Sequence, residues 1–319
     1  MIEAQGLTRY YGDFPALRDA TFSVPDGEIV GFLGLNGAGK STVLKILAGL
    51  LLPSAGKVTI DGIDATTQPD VLRRKIGFLP EDPPLYAEMR VAEFLRWVGQ
   101  LKGRSRSEVN AALPGVLEQC ELSDWADVVI SDLSHGYKKR VGIAQAIIHK
   151  PDLVILDEPI SGLDPKQIVE MRKLVRSLTE SATVLISSHI LSEISLTCQR
   201  VFVIHEGRLV MEGSTADLGG ESGAGAGLRL GLRGGETEIA KLLSASTVVT
   251  TADVETAGDL VMADVTLSGD HREQLIAELV NGGVGIRTVA DSVSELEQIF
   301  LEFTRTQAVD GRARKKVNA

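Results

Sequence analysis

The sequence predicts a large α/β domain carrying a helical insertion, followed by a small α+β domain of ferredoxin-like type. Three observations predict it. Over residues 1–218, short apolar runs rich in β-formers alternate with helical patterns. Between about 83 and 150 the strand signals stop and helical periodicity replaces them. Beyond a Gly-rich linker at 219–227, the order over 228–304 becomes strand, helix, strand, strand, helix, strand, with one helix added.

The elements follow in order. Ile29 to Leu33, Leu153 to Leu156 and Thr183 to Ile186 are short apolar runs expected as buried strands. Val201 to His205 and the Glu206-Gly207-Arg208-Leu209-Val210 stretch read as a hairpin around a glycine turn. In the insertion, Val91 to Leu101, Arg106 to Cys120 and Lys138 to His149 carry helical spacing. The second domain reads as strands at Leu228 to Leu232, Thr247 to Thr251, Leu260 to Leu267 and Ile286 to Val289. Its helices are expected at Thr237 to Ser244, Arg272 to Asn281 and Val293 to Thr304. That last helix carries Leu296, Ile299, Phe300 and Phe303 at helical spacing, a stripe that must be buried against its own sheet or a partner. The tail 305–319 is polar and ends basic, and is expected to be flexible.

Composition bounds the function. The 319 residues include 43 acidic and 33 basic side chains, a net charge of −10 that argues against a broad nucleic-acid surface. Apolar runs such as Ile46 to Leu52 are far shorter than the ~18 residues needed to span a bilayer. The N-terminal residues lack the basic-then-apolar order of a signal peptide. Cys120 and Cys198 alone imply no disulfide framework and cannot build a four-cysteine zinc site. A cytoplasmic location is expected.

Gly34-Leu35-Asn36-Gly37-Ala38-Gly39-Lys40-Ser41 fits G-x-x-x-x-G-K-[ST], after an expected strand and before the helical run starting at Thr42. Phosphate is a compact multivalent anion. Glycines let backbone N–H groups turn inward where a Cβ would collide, and the helix start adds its positive dipole end. Lys40 can reach β- and γ-phosphates, and Ser41 offers a hydroxyl to Mg²⁺.

The run Leu153-Val154-Ile155-Leu156 ends in Asp157-Glu158-Pro159. A buried strand should not end in two carboxylates unless something cationic or catalytic compensates them. Asp157 is expected to hold Mg²⁺. Glu158, on the opposite face by strand alternation, is expected to polarise the attacking water.

Further motifs name a family. Leu133-Ser134-His135-Gly136-Tyr137-Lys138-Lys139-Arg140 upstream of Asp157 resembles the signature loop of ABC ATPases. Ser161-Gly162-Leu163-Asp164 resembles their D-loop, and Ser187-Ser188-His189 their switch histidine. Tyr11 matches the aromatic that stacks on adenine, and Glu81 occupies the Q-loop position. Taken alone, His189 and Tyr11 would read as structural side chains; the constellation is what assigns them. The resemblance implies an ABC-type P-loop ATPase fold over residues 1–218, with a helical subdomain. It implies ATP and Mg²⁺ as ligands, with Glu158, His189 and Lys40 catalytic. Tyr11, Gly34, Asn36, Gly37, Ala38, Gly39, Lys40, Ser41 and Thr42 would bind nucleotide, and Ser41, Glu81 and Asp157 the metal. Ser134, as N-cap of the following helix, with Gly136 and Asp164, would complete the site of a second subunit.

Two departures stand out. The usual signature reads Leu-Ser-Gly-Gly-Gln, whereas His135 and Tyr137 occupy its third and fifth positions here. Glu81 stands where glutamine is usual and adds negative charge beside the triphosphate.

One copy of each motif implies a dimer, most simply with a second copy. The signature variant, the Leu79-Pro80-Glu81-Asp82-Pro83-Pro84-Leu85-Tyr86 stretch and the C-terminal ending look like ABC-2-type ATPases of the gliding-motility and multidrug-export branch. That implies integral membrane permease subunits as partners, no nucleic acid, and a place on the inner face of the membrane. A methionine-type importer ATPase, which also carries a ferredoxin-like C-terminal domain, and a non-transport ABC ATPase are the alternatives.

Overall fold

A computed structural model describes residues 1–214 and 227–291. The chain divides into two compact units, Met1–Gly213 and Ser214–Ala319. The expected linker up to residue 226, the final helix at 293–304 and the basic tail lie outside the described residues.

The first unit is built on two sheets. An antiparallel sheet takes β1 (Ile2–Tyr11), β2 (Phe14–Val24), β4 (Ala55–Ile60) and β5 (Ile63–Asp64) in the order β2-β1-β4-β5. Its β1–β2 hairpin turns through Gly12, which takes a positive φ of 58°, and sets Tyr11 directly opposite Phe14. The second sheet contains β3 (Ile29–Leu33), β6 (Ile76–Leu79), β7 (Leu153–Leu156), β8 (Thr183–Ser188), β9 (Arg200–His205) and β10 (Arg208–Ser214). Its order is β10-β9-β3-β8-β7-β6, and β9, β3, β8, β7 and β6 run parallel. All residues of β3, β7 and β8 are buried, as continuous apolar runs require of a sheet covered on both faces.

The two sheets share a core. Phe22 of β2, Phe32 of β3 and Phe202 of β9 meet at ring-centroid distances of 5.2–5.6 Å. Buried aromatic triplets of this kind add about 0.5–1.5 kcal/mol per pair beyond area burial. They hold the hairpin carrying Tyr11 against the sheet carrying the phosphate loop.

Helix α1 (Lys40–Leu47) follows β3, and α2 (Pro69–Lys75) precedes β6. Between β6 and β7 lie α3 (Val91–Leu101), α4 (Arg106–Gln119) and α5 (His135–Ile147). Helix α4 starts at a reciprocal cap: the Glu108 amide donates to the Ser105 hydroxyl, and the Ser105 amide to the Glu108 carboxylate. Helix α5 starts at His135, three residues before the apolar periodicity does, because Ser134 caps it. It packs so closely on β6 that a Cβ on Gly77 would stand 2.1 Å from the Ala146 carbonyl oxygen. Helices α6 (Pro165–Ser177) and α7 (Leu191–Ser195) follow β7 and β8.

The second unit contains β11 (Gly227–Arg233), α8 (Glu236–Ala245), β12 (Val249–Ala257), β13 (Leu260–Leu267), α9 (Arg272–Asn281) and β14 (Gly285–Asp291). The sheet order β12-β13-β11-β14, with these strands antiparallel, is the ferredoxin-like arrangement. Val261, Ala263, Val265 and Leu267 alternate into its core with Leu275 and Leu279 of α9. Two boundaries differ from expectation. Gly227 opens β11 and does not belong to the linker, and β12 runs to Ala257 where apolar patterning stops at Thr251. Strand β12 is an edge with mostly exposed side chains, so charged residues such as Asp253 and Glu255 are compatible with it.

Candidate functional site

Four segments meet at the carboxyl-terminal edge of the parallel sheet, because β3, β8, β7 and β6 are consecutive neighbours there. Residues 34–41 leave β3, His189 leaves β8, Asp157 and Glu158 leave β7, and Glu81 follows β6. In open parallel sheets, ligands bind in the crevice outside these strand ends.

The loop after β3 is shaped by its glycines. Gly39 takes φ 113°, and a Cβ there would come within 2.6 Å of the Ala16 carbonyl oxygen. Gly34 is equally confined, with the Ile204 carbonyl oxygen 2.4 Å from a would-be Cβ. Gly37, at φ 82°, faces open space. The Lys40 ammonium is buried and donates to the carbonyls of Gly34 (2.7 Å) and Leu35 (3.3 Å). It also lies 3.3 Å from Glu158 Oε1.

The two acids are both buried, at 2% and 5% exposure, and both are compensated as burial demands. Asp157 Oδ1 accepts from the hydroxyls of Ser41 (3.1 Å) and Ser187 (2.6 Å). Glu158 Oε2 lies 2.9 Å from His189 Nδ1. Glu158 points away from Asp157, but strand alternation is not the cause. The strand ends at Leu156, and Glu158 takes a left-handed backbone, φ 49°, that turns the chain. A non-glycine residue there stores about 1–2 kcal/mol of strain, and such strain persists only where neighbours enforce it. Ser187 is one enforcer: its hydroxyl accepts from the Glu158 amide at 2.8 Å.

Tyr11, Asn36, Gly37, Gly39, Lys40, Ser41, Thr42, Glu81 and Glu158 all line one hollow of about 410 Å³. Ala38 is buried and does not line it. Phe14 and Ala16 complete the wall, and sequence reasoning missed both. Arg9 places its guanidinium 5.1 Å from the centroid of the Tyr11 ring and donates to the Leu52 carbonyl, supporting that ring from one side. A larger hollow of about 470 Å³ lies at the opposite edge of the sheet, near Asp152 and Ala182. It contains none of the motif residues, so the smaller one is the functional candidate.

Ser134, Gly136 and Asp164 are not in this hollow. The Ser134 hydroxyl faces the Tyr137 amide at 3.5 Å, the outer limit of a hydrogen bond. Asp164 accepts from the Gln167 amide at 2.9 Å, as N-cap of α6 ahead of Pro165. The exposed His135 ring lies beside Gly162, 3.2 Å from where a Cβ there would stand, so the start of α5 and the loop before α6 are adjacent. Tyr137 stacks on Trp125 with centroids 4.3 Å apart. Its aromatic ring finds a partner within the helical insertion that the usual glutamine would not.

Lys139 was also unforeseen. It is 2% exposed, and burial pulls its ammonium below the usual lysine range while Asp82, Glu81, Asp157 and Glu158 oppose that shift. Its Nζ donates to the Glu81 carbonyl and lies 3.4 Å from the Glu158 carbonyl oxygen. The available signal was a lysine on a helix buried on nearly every side.

Known proteins match this arrangement. The family model for ABC transporters matches residues 17–161. The ABC transporter ATP-binding protein NatA of Bacillus subtilis is 37% identical over 205 residues, 64% of this chain and 83% of the relative. The Nod factor export ATP-binding protein I of Rhizobium meliloti is 33% identical over 311 residues, 97% of this chain and 89% of the relative. Among solved structures, a dimeric post-hydrolysis state of the ATP-binding cassette MJ0796 bound to ADP and Pi superposes with a TM-score of 0.62. It is 27% identical and covers 67% of this chain and 99% of its own. With the glycine loop, the buried acid pair and the histidine assembled on consecutive strand ends, the chain belongs to the ATP-binding subunits of ABC transporters.

Proposed function

We propose that this chain hydrolyses ATP to power export through a separate membrane permease of ABC-2 type, working as an ATP-bridged pair of subunits. The observation that carries it is the meeting of two contact groups on neighbouring strand ends: Ser41 hydrogen-bonded to Asp157, and Glu158 held between Lys40 and His189. The importer alternative is not favoured, because an export protein aligns with nearly the whole chain, including the C-terminal unit.

The geometry supports a role for each residue. Tyr11 stacks on adenine, its far face already occupied by Arg9. The amides of residues 36–42 and the Lys40 ammonium bind the phosphates. Lys40 now holds loop carbonyls and Glu158, contacts that a γ-phosphate oxygen replaces. Glu158 takes the proton of the attacking water while the bond from phosphorus to the ADP oxygen breaks. His189 orients Glu158 through Nδ1 and leaves its other nitrogen to the γ-phosphate.

The site also fits Mg²⁺. Ser41 Oγ and Asp157 Oδ1 are hard oxygen donors 3.1 Å apart, and Glu81 lines the same hollow. Among the described residues no group of three or more His, Cys, Asp or Glu could hold a metal alone. That suits an ion completing its shell with phosphate oxygens and water. When bound, Mg²⁺ neutralises phosphate charge and orients the β- and γ-groups.

No helix among the described residues is long and apolar enough to cross a membrane. Attachment to the inner face therefore rests on a permease. Its docking surface is the hollow lined by Pro84, Tyr86, Phe94, Trp97 and Leu101, on the segment that follows Glu81 in the chain. Tyr86 meets Trp97 edge-to-face at 4.8 Å yet remains half exposed, so it covers its own subdomain without being consumed by it. Affinity capture of the full chain from detergent-solubilised membranes should recover polytopic subunits. A Tyr86→Cys chain should crosslink to their cytoplasmic loops in an ATP-dependent way. The background is low, because Cys120 and Cys198 are buried and burial pushes the Cys120 thiol up to about 12. Recovery of soluble proteins alone would overturn the export reading.

A further inference from the structure

Glu158 is held in a strained backbone conformation, and Ser187 accounts for only one side of its peptide environment. The other side faces α5. Lys139 reaches from that helix into a space where the Glu81 and Glu158 carbonyl oxygens both come within range of its Nζ. The strand ends that carry these two residues, β6 and β7, are direct neighbours. Lys139 thus fills the gap between the two loops from below, while Lys40 lies against Glu158 from the phosphate loop.

We propose that Lys139 is a positioning residue for hydrolysis: it fastens the signature helix, the Glu81 loop and the Glu158 backbone into one unit. The argument rests on the reading of Glu158 as general base. A buried ammonium is costly unless acceptors and anions surround it. Here two carbonyls accept from it, and the negative charges of Asp82, Glu81, Asp157 and Glu158 favour its charged form against the cost of burial. A hydrophobic residue of equal length would fill the volume, yet it would release both carbonyls and leave the left-handed turn of Glu158 without its support. The glutamate at position 81 adds an anion to this cluster, and the lysine supplies the opposing charge. Lys139 does not line the hollow that holds the glycine loop, so its effect passes through Glu158 and belongs to kcat and not to nucleotide affinity.

The test is a double-mutant cycle on the full-length chain. Lys139→Met, Lys139→Gln and Lys139→Arg are made alone and in the Glu158→Gln background, with Mg-ATP turnover and binding of a fluorescent ATP analogue measured for each. Lys139→Met should lower kcat at least about tenfold while shifting nucleotide affinity less than about threefold, and Lys139→Arg should recover part of the rate. In the Glu158→Gln background the same change should alter residual turnover less than about twofold, because the group it positions is already gone. A wild-type kcat for folded Lys139→Met, beside an inactive Glu158→Gln, overturns this inference alone. An equal loss in both backgrounds overturns it too, since Lys139 would then act elsewhere. Wild-type turnover by Glu158→Gln removes the base assignment and this inference with it. If Lys139→Met does not fold, Lys139→Gln keeps one donor for the carbonyls, and the same comparison between backgrounds decides.

Discussion

His189 Nδ1 and Glu158 Oε2 lie 2.9 Å apart, joining the end of β8 to the turn after β7. The other oxygen of Glu158 faces Lys40 at 3.3 Å. A single carboxylate therefore bridges Lys40 of the loop after β3 and His189 at the end of β8.

Glu158→Gln keeps the shape and volume of the side chain and removes its basicity. Turnover should fall at least about 10²-fold, the usual scale for a positioned base, while ATP still binds. Lys40→Ala should weaken nucleotide binding as well, because it removes the ammonium that the phosphates would meet. Phosphate release and equilibrium binding separate the two. Equal behaviour of the two variants would show that Glu158 acts in binding and not in proton transfer.

Ser134 and the loop at 161–164 lie outside the hollow that holds the glycine loop, which fits the proposal that they meet the nucleotide of a second copy. Glu158→Gln chain with Mg-ATP should scatter light as a dimer, because hydrolysis no longer opens the pair. Adding Ser134→Arg should return it to monomer, because on the proposed reading it places a bulky side chain where the partner's phosphate would meet the cap. A dimer mass that persists with Ser134→Arg and without ATP would mean that association does not pass through this site.

The close approach of α5 to β6 predicts a different kind of sensitivity. In Gly77→Ala the new Cβ would meet the Ala146 carbonyl oxygen at 2.1 Å, a main-chain atom that no rotamer change can remove. The helix must shift outward, at a cost of about 1–3 kcal/mol for overpacking. Since α5 carries Ser134 at its start and Lys139 within it, turnover should fall along with the melting temperature. Unchanged thermal melting would show that the helix can move off the sheet freely.

The parts of the site that were legible in the sequence are those where physics narrows the residue choice. A backbone that cradles phosphate needs glycine at Gly39, and a buried strand ending in Asp157 and Glu158 is too costly to be incidental. The parts that were not legible depend on which strands become neighbours. Ser187 acts on Asp157 and Glu158 only because β8 lies beside β7, and a serine at a strand end carries no mark of that. The direction of Glu158 was expected from strand alternation, but a left-handed turn sets it, and local periodicity cannot announce such a turn. Phe14 reaches the hollow through its cross-strand pairing with Tyr11, a relationship fixed by the hairpin register. Strand β12 was underestimated for the converse reason: edge strands do not need an apolar face along their whole length.

His149 makes acid sensitivity predictable. It is 1% exposed at the junction of α5 and β6, and the Ile76 carbonyl accepts from its Nε2 at 3.2 Å. That carbonyl also accepts from Lys102 at 3.0 Å, and the guanidinium of Arg104 donates to the His149 carbonyl. Nδ1 has no hydrogen-bond partner, so a proton placed there would create a buried cation beside two others. Burial, then the charge of Lys102, and to a lesser degree that of Arg104, lower the imidazole from 6.5 to about 4. Between these values the unfolded chain binds a proton that the folded chain refuses. The unfolded state thus holds more protons, and stability is full above pH 6.5 and is lost as pH falls toward 4. The shift corresponds to on the order of 3 kcal/mol across that window. His149→Gln keeps an N–H for the Ile76 carbonyl and has nothing to titrate. Urea unfolding of both chains at several pH values between 4 and 7 should give a steeper loss for the wild type, converging toward the variant at the acid end. Parallel curves would mean that water or a local opening already reaches Nδ1 in the folded protein.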